Sequence, residues 1–155
     1  VSAARPVLEA MGTTVVHVGP SGAGQTVKAA NQLIVAGTLE LVAEALVFLE
    51  AHGVSLDAAV CVLAGGLAGS TVLDREAGAM LARDLPRGSG SICTTRTWGF
   101  VMAAARRAGV AVPLGAHVAQ LMGAARARGH GALDHTALLL LVEELAGRSA
   151  APTGA

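Results

Sequence analysis

Of the eleven basic residues in this 155-residue chain, only Lys28 is a lysine; the other ten are arginines. The distinction is chemical. A desolvated amine can release its proton near neutral pH, whereas a guanidinium in practice cannot. Lys28 is therefore the side chain best suited to pass a proton to or from a reacting group. It stands in the run GPSGAGQTVKAANQ, residues 19–32. Asn31 follows three positions later, so on a helix the ammonium and the carboxamide share one face. Gly19, Gly22 and Gly24 open a turn just ahead of that helix.

The glycines suggest two familiar loops, and neither fits. Their spacing is G-x-x-G-x-G, not the G-x-G-x-x-G of a dinucleotide loop, and no acidic residue marks a second strand end about 20 residues on. A hydrolase elbow fails as well, because Ala23 occupies the last position of Gly-x-Ser-x-Gly. The cluster reads better as a hinge where the chain enters a long helix. His130, Asp134 and His135 gather two imidazoles and a carboxylate, but a loop histidine and a capped helix start explain them, and no metal is expected.

The elements that must position Lys28 are helical. The chain is 53% hydrophobic and 14% charged but only 2% aromatic, so its core has to be built from Ala, Leu and Val. A short helix over 6–11 is followed by Thr13–Val18, an apolar β-branched run that reads as one buried strand. One strand cannot make a sheet, which predicts partners upstream of this chain. A long helix from about Gly22 to Ala51 carries Val27, Leu33, Ile34, Leu41, Val42, Leu46 and Leu49 at roughly helical spacing, with Gly53 beyond its end. Shorter helices follow: Ser55 to Leu63, Ser70 to Arg83, Thr95 to Ala108, Pro113 to about Arg128, and one capped by Asp134 that runs to Ala146. Neither an internal repeat nor a heptad seam stands out. The expected fold is mainly α, a helical bundle built on one long interdomain helix and preceded by a remnant strand.

Zero formal charge leaves no basic footprint for nucleic acid and no polybasic stretch for an anionic membrane. The longest run free of charged residues and of histidine, Ala58 to Leu73, is short for a span and is broken by Gly65 and Gly66. Cys61 and Cys93 make no disulfide framework and are expected in or near the core. No secretory signal is seen at Val1–Arg5, and a cytoplasmic location is expected.

The block from Pro6 to Leu46, PVLEAMG…VVHVGPSGAGQTVKAANQLIVAGTLELVAEAL, resembles the junction and interdomain helix of the β-hydroxyacid dehydrogenases. That family includes 3-hydroxyisobutyrate dehydrogenase and 2-hydroxy-3-oxopropionate reductase. Its hallmark G-x-x-G-x-G-x-x-x-K-x-x-N is met by Gly19, Gly22, Gly24, Lys28 and Asn31, and later phrases (GGLAGS, AGVAVPLG, LDHTALL) agree. The resemblance implies an NAD- or NADP-dependent enzyme that interconverts a small 3-hydroxy acid and its semialdehyde. It implies Lys28 as the catalytic residue, Asn31 as a substrate ligand, and a helical domain that dimerises. On this reading residues 1–18 are the edge of a missing Rossmann domain, 19–148 the helical domain, and 149–155 a flexible tail. A rival reading is a non-enzymatic helical dimerisation module descended from such an enzyme.

The chain departs from the family in two places. It has no G-x-G-x-x-G unit, so the cofactor would be held mainly by the missing domain. In addition, Arg96-Thr97-Trp98 stands where the family has Lys-Asp-Leu, whose lysine helps close the cofactor site; Arg96 supplies the charge in its place. With suitable synonymous codons, Gly88–Gly99 read one base earlier becomes F-R-V-D-L-H-H-K-D-L-G, complete with Lys-Asp-Leu. Residues 89–98 are therefore expected to lie out of frame between two compensating indels, and the nucleotide sequence tests this. On that reading Trp98, in place of a smaller leucine, is expected to be partly exposed or to push its neighbours apart.

Overall fold

A run of 29 residues without proline, rich in Ala, Leu and Val, forms the helix around which the rest is wound. In the computed structural model, which describes residues 4–85 and 95–148 and all their side chains but those of 95–97, the helices are α1 (Arg5–Met11), α2 (Ala23–Ala51), α3 (Leu56–Ala64), α4 (Thr71–Ala82), α5 (Thr95–Ala108), α6 (Pro113–Ala127) and α7 (Leu138–Leu145). Three-residue 3-10 turns at His130–Ala132 and His135–Ala137 join α6 to α7. Helix α2 packs against α3, α4, α5, α6 and α7.

Local chemistry sets the boundaries. Gly53, at φ +69°, lets the chain leave α2, and its N–H donates to the Glu50 carbonyl at 3.0 Å. Ser70 caps α4, its hydroxyl accepting from the Leu73 N–H at 3.1 Å. Pro113 starts α6, where a missing N–H costs nothing. Asp134 accepts from the Thr136 N–H at 3.1 Å and starts a 3-10 turn that runs on into α7. Ser55 stands at the N-cap of α3 as expected, but its side chain makes no capping bond.

The core is one cluster drawn from α2, α4, α5, α6 and α7. Leu39, Met80, Val101, Leu138 and Leu141 are fully enclosed. Each such side chain contributes about 1.5–3 kcal/mol when taken from water. One ion pair closes the bottom of this core. Arg83, which ends α4 in the left-handed region at φ +52°, grips the buried Glu143 of α7 with both guanidinium nitrogens, one at 2.8 Å. Two parallel charge-assisted bonds hold a conformation that a non-glycine residue rarely adopts.

Several expectations change. Residues 14–18 are irregular, and the described residues contain no strand. Without a neighbouring strand the backbone groups of this segment have no ladder to join, and Val16 and Val18 lie exposed. Cys61 is also exposed, because α3 turns it away from the core. Trp98, in contrast, is buried at 5%. Gly115 packs beside it: a β-carbon there would be in ordinary contact with the indole at 3.7 Å but would collide with Leu33 Cδ2 at 2.6 Å, so the glycine makes room for Leu33. The proposed out-of-frame stretch falls largely on residues 86–94, and Cys93 and the tail from 149 on likewise lie outside the described residues.

Candidate active site

The approach to Lys28 is built from backbone. Gly19 takes φ +143°, and a β-carbon on it would come within 3.1 Å of Ala23 Cβ. Gly22 takes φ +95°, and its carbonyl accepts from the N–H groups of Gln25 and Thr26 at 3.0 and 3.2 Å. Both positions require glycine, since an L side chain is strained there. The Ala23 N–H donates to the Pro20 carbonyl at 3.0 Å, and the turn passes directly into α2. Gly24 differs: it is an ordinary helical glycine with open space around it. Gly19 and Gly22 thus form the expected hinge-like turn, while the backbone makes no such demand at Gly24.

Lys28 and Asn31 emerge one turn apart on α2, and both are exposed. Ala29, between them, is buried at 8% and seats this end of the helix. Asn31 Nδ2 donates to Gln32 Oε1 at 3.3 Å. Among the described residues no hydrogen bond or ion pair holds Lys28. An ammonium and a carboxamide so placed can donate together to one small oxygen-rich molecule. The surface is open, however, with no wall on its outer side to exclude water.

Helix α5 enters beside this surface. Trp98 touches the Gly115 position, which abuts Leu33, two residues past Asn31. The first turn of α5 holds the backbone of Arg96; its side chain lies outside the described residues.

Other titratable groups gather away from Lys28. Glu40, on the same helix, is buried, and its Oε2 has no hydrogen-bond partner. Burial first, and then the nearby Glu44 carboxylate, push its carboxyl up to about 7. It lies twelve residues from Lys28, roughly 18 Å along the helix at 1.5 Å per residue, too far to share a substrate. Sequence reading passed over it because an acid inside an apolar helix is normally assigned to the wet face. His130 and His135, five positions apart in sequence, take different partners. His130 bonds Glu144 at 2.8 Å, whereas His135 lies 3.5 Å from Glu76 and 3.4 Å from Asp134. Glu76, Asp134 and His135 bring ligand atoms within 4.8 Å of one another. In the structure Asp134 serves as a helix cap and Glu76 stands beside the His135 imidazole.

Residues 22–142 match the family model described as NAD-binding of NADP-dependent 3-hydroxyisobutyrate dehydrogenase. The chain belongs to this family. It is 32% identical over 142 residues to the 2-hydroxy-3-oxopropionate reductase of Escherichia coli, covering 92% of this chain and 49% of that protein. It is also 32% identical over 151 residues to the 3-sulfolactaldehyde reductase of the same organism, covering 97% and 51%. Among solved structures, Mycobacterium tuberculosis 3-hydroxyisobutyrate dehydrogenase with L-serine superposes with a TM-score of 0.78 at 29% identity, covering 89% of this chain and 50% of that one. The Salmonella typhimurium 3-hydroxyisobutyrate dehydrogenase shares the fold, with a TM-score of 0.82 at 24% identity. The chain thus spans about half the length of the curated relatives it matches.

Proposed function

We propose that the chain is the helical half of a cytoplasmic NAD(P)-dependent oxidoreductase that interconverts a small 3-hydroxy acid and its semialdehyde. The observation that carries this reading is Lys28, exposed and unpartnered among the described residues, one helical turn from Asn31 behind a turn that requires glycine. Family membership supports it, as does the set of small hydroxy acids and aldehydes in the names of the relatives. A bound nicotinamide dinucleotide would supply or accept the hydride that the carbonyl carbon gains or loses. When the aldehyde is reduced, negative charge grows on its oxygen, and the Lys28 ammonium donates the proton that quenches it. In the other direction the neutral amine takes the hydroxyl proton. Asn31 donates to the substrate carboxylate or hydroxyl and fixes its pose, so that the reacting oxygen meets Lys28 rather than water.

The open outer side of the site is where a Rossmann domain ahead of Gly19 would close over it. Arg96 would carry a positive charge toward the cofactor from the start of α5. The whole protein is read as a homo-oligomer.

The test is steady-state turnover of 2-hydroxy-3-oxopropionate with NADH and NADPH, and of 3-hydroxyisobutyrate with NAD+ and NADP+, in the longer protein that includes the cofactor domain. Lys28→Ala is expected to lower kcat about 100-fold or more with little change in cofactor affinity. Lys28→Arg is expected to rescue poorly, because guanidinium keeps its proton. Near-normal turnover in either variant would remove Lys28 from the mechanism.

A further inference from the structure

His130, Asp134 and His135 stand close in sequence, and with no further ligand beside them they read as a loop histidine and a helix cap. The fold sends one histidine away and brings another ligand in. His130 turns to Glu144 at 2.8 Å. Helix α4 packs against the 3-10 turn His135–Ala137, and Glu76, in the middle of α4, comes up beside that turn. What remains is one imidazole between two carboxylates drawn from two separate elements. Glu76 Oε2 is 3.5 Å from His135 Nε2, and Asp134 Oδ1 is 3.4 Å from His135 Nδ1.

Those separations are wide for a hydrogen bond, whose heavy atoms sit about 2.7–3.2 Å apart. They are close to the roughly 3.4 Å that metal–ligand bonds of about 2.0–2.2 Å impose between neighbouring donors in a tetrahedral zinc site. One donor atom from each of the three residues lies within 4.8 Å of the other two. Glu76 ends in a flexible stem whose rotation can close the set further. Asp134 is already aimed: its Oδ1 accepts from the Thr136 N–H at 3.1 Å and from the Thr136 hydroxyl at 3.2 Å, and Oδ2 is not used in those bonds. Thr136 is buried, so this anchor is firm. The side chains of Glu76, Asp134 and His135 are 28%, 17% and 28% exposed, sheltered from bulk water yet open to an entering ion. With the imidazole neutral, as a metal requires, the set carries two negative charges. Among the described residues no lysine or arginine pairs with either carboxylate. A dication cancels that charge.

We propose that Glu76, Asp134 and His135 bind one transition-metal dication, zinc fitting best, with water in the fourth position. The imidazole selects the class. Magnesium and calcium take oxygen donors and would call for more of them than two carboxylates supply. Zinc accepts nitrogen and oxygen in one tetrahedral set. The ion acts as a brace. Arg83 and Glu143 already tie the end of α4 to α7. The metal ties the middle of α4 to the turn that leads into α7, a second clamp across the same pair of segments. The inference stands on α4 and that turn, and does not rest on the chemistry assigned to Lys28.

The test titrates zinc chloride alone into the chain with Cys61→Ser and Cys93→Ser, so that no thiol competes. Calorimetry is expected to show one equivalent bound. Glu76→Gln, which keeps the size of the side chain, is expected to weaken binding about 10-fold or more. An excess of magnesium of about 100-fold is expected not to displace the zinc. The chain has five histidines, and at one equivalent only the ring signals of His135 are expected to shift in NMR spectra. That readout needs no ligand variant, so it decides the matter if Glu76→Gln fails to fold. The proposal is overturned if zinc up to about 1 mM shows no saturable binding. It is overturned equally if Glu76→Gln binds zinc as tightly as its parent, if magnesium displaces the zinc, or if other histidines shift in place of His135.

Discussion

The two ends of α2 carry similar residues into different surroundings. From Ala36 to Val47 the helix is enclosed on its inner face by α4, α5 and α7, and Leu39, Ala43 and Leu46 are almost without solvent contact. From Ala23 to Ile34 only Ala29 is buried, and Val27 and Ile34 face water. Among the described residues of the segment before it, including α1, none is buried. Hydrophobicity therefore does not distinguish the half that holds the fold from the half to which we assign the chemistry. Neighbours do, and the exposed end is where Lys28 and Asn31 stand.

The contrast is broken most forcefully from the enclosed end. Leu39→Ala removes a fully enclosed side chain and is expected to cost about 2–5 kcal/mol, read as a lower denaturation midpoint. The matching change at the open end, Lys28→Ala, is expected to leave that midpoint within about 0.5 kcal/mol. In the longer protein the same change should cost turnover about 100-fold, or about 2.7 kcal/mol. A variant that moved both readings together would show that the two ends are not separable.

Glu40 sharpens the comparison through pH. Its folded carboxyl holds a proton up to about pH 7, whereas the unfolded one releases it near 4.5. The folded state therefore binds more protons between those values. Stability is fully kept below about pH 4.5 and falls as pH rises toward 7. Glu40→Gln is expected to flatten that fall and to gain roughly 1–3 kcal/mol at pH 8. Denaturation midpoints from pH 4.5 to 8 check this, and an unchanged slope would refute it. Ser70→Ala, which removes one capping bond, is expected to cost about 1 kcal/mol at any of these pH values. The smallest effect belongs to the open end, where Val16→Ser is expected to change stability by less than about 0.5 kcal/mol in this chain.

Much of this was legible before any coordinates. Glycine, proline, Ser70 and Asp134 mark helix ends by local bonds, and α5 begins and ends at Thr95 and Ala108 as expected. The Lys28–Asn31 pairing followed from helical spacing alone. What failed depended on distant neighbours. Thr13–Val18 has β-forming residues, but a strand exists only beside another strand. Cys61 sits in an apolar run, yet its exposure is set by which way α3 rolls. Trp98 seemed oversized, yet it is buried at 5%, because the neighbours that enclose it come from elsewhere in the chain. The exposure of Val27, Ile34, Leu41 and Phe48 was hidden because α2 carries apolar residues on its outer as well as its inner side, and the two patterns overlap in the sequence.

The clasp between Arg83 and Glu143 joins residues 60 apart. On the ribosome, α4 emerges with its last residue in an unfavourable backbone conformation and its guanidinium unclaimed. Local backbone bonds from the Arg83 and Asp84 N–H groups can close that turn, but the guanidinium gains its carboxylate only once α7 has cleared the exit tunnel. The clasp is thus a late step, one that waits for synthesis rather than for local folding. Until then a nascent chain holding α2 and α4 would leave the floor of the core open, with Leu46 and Met80 available to chaperones.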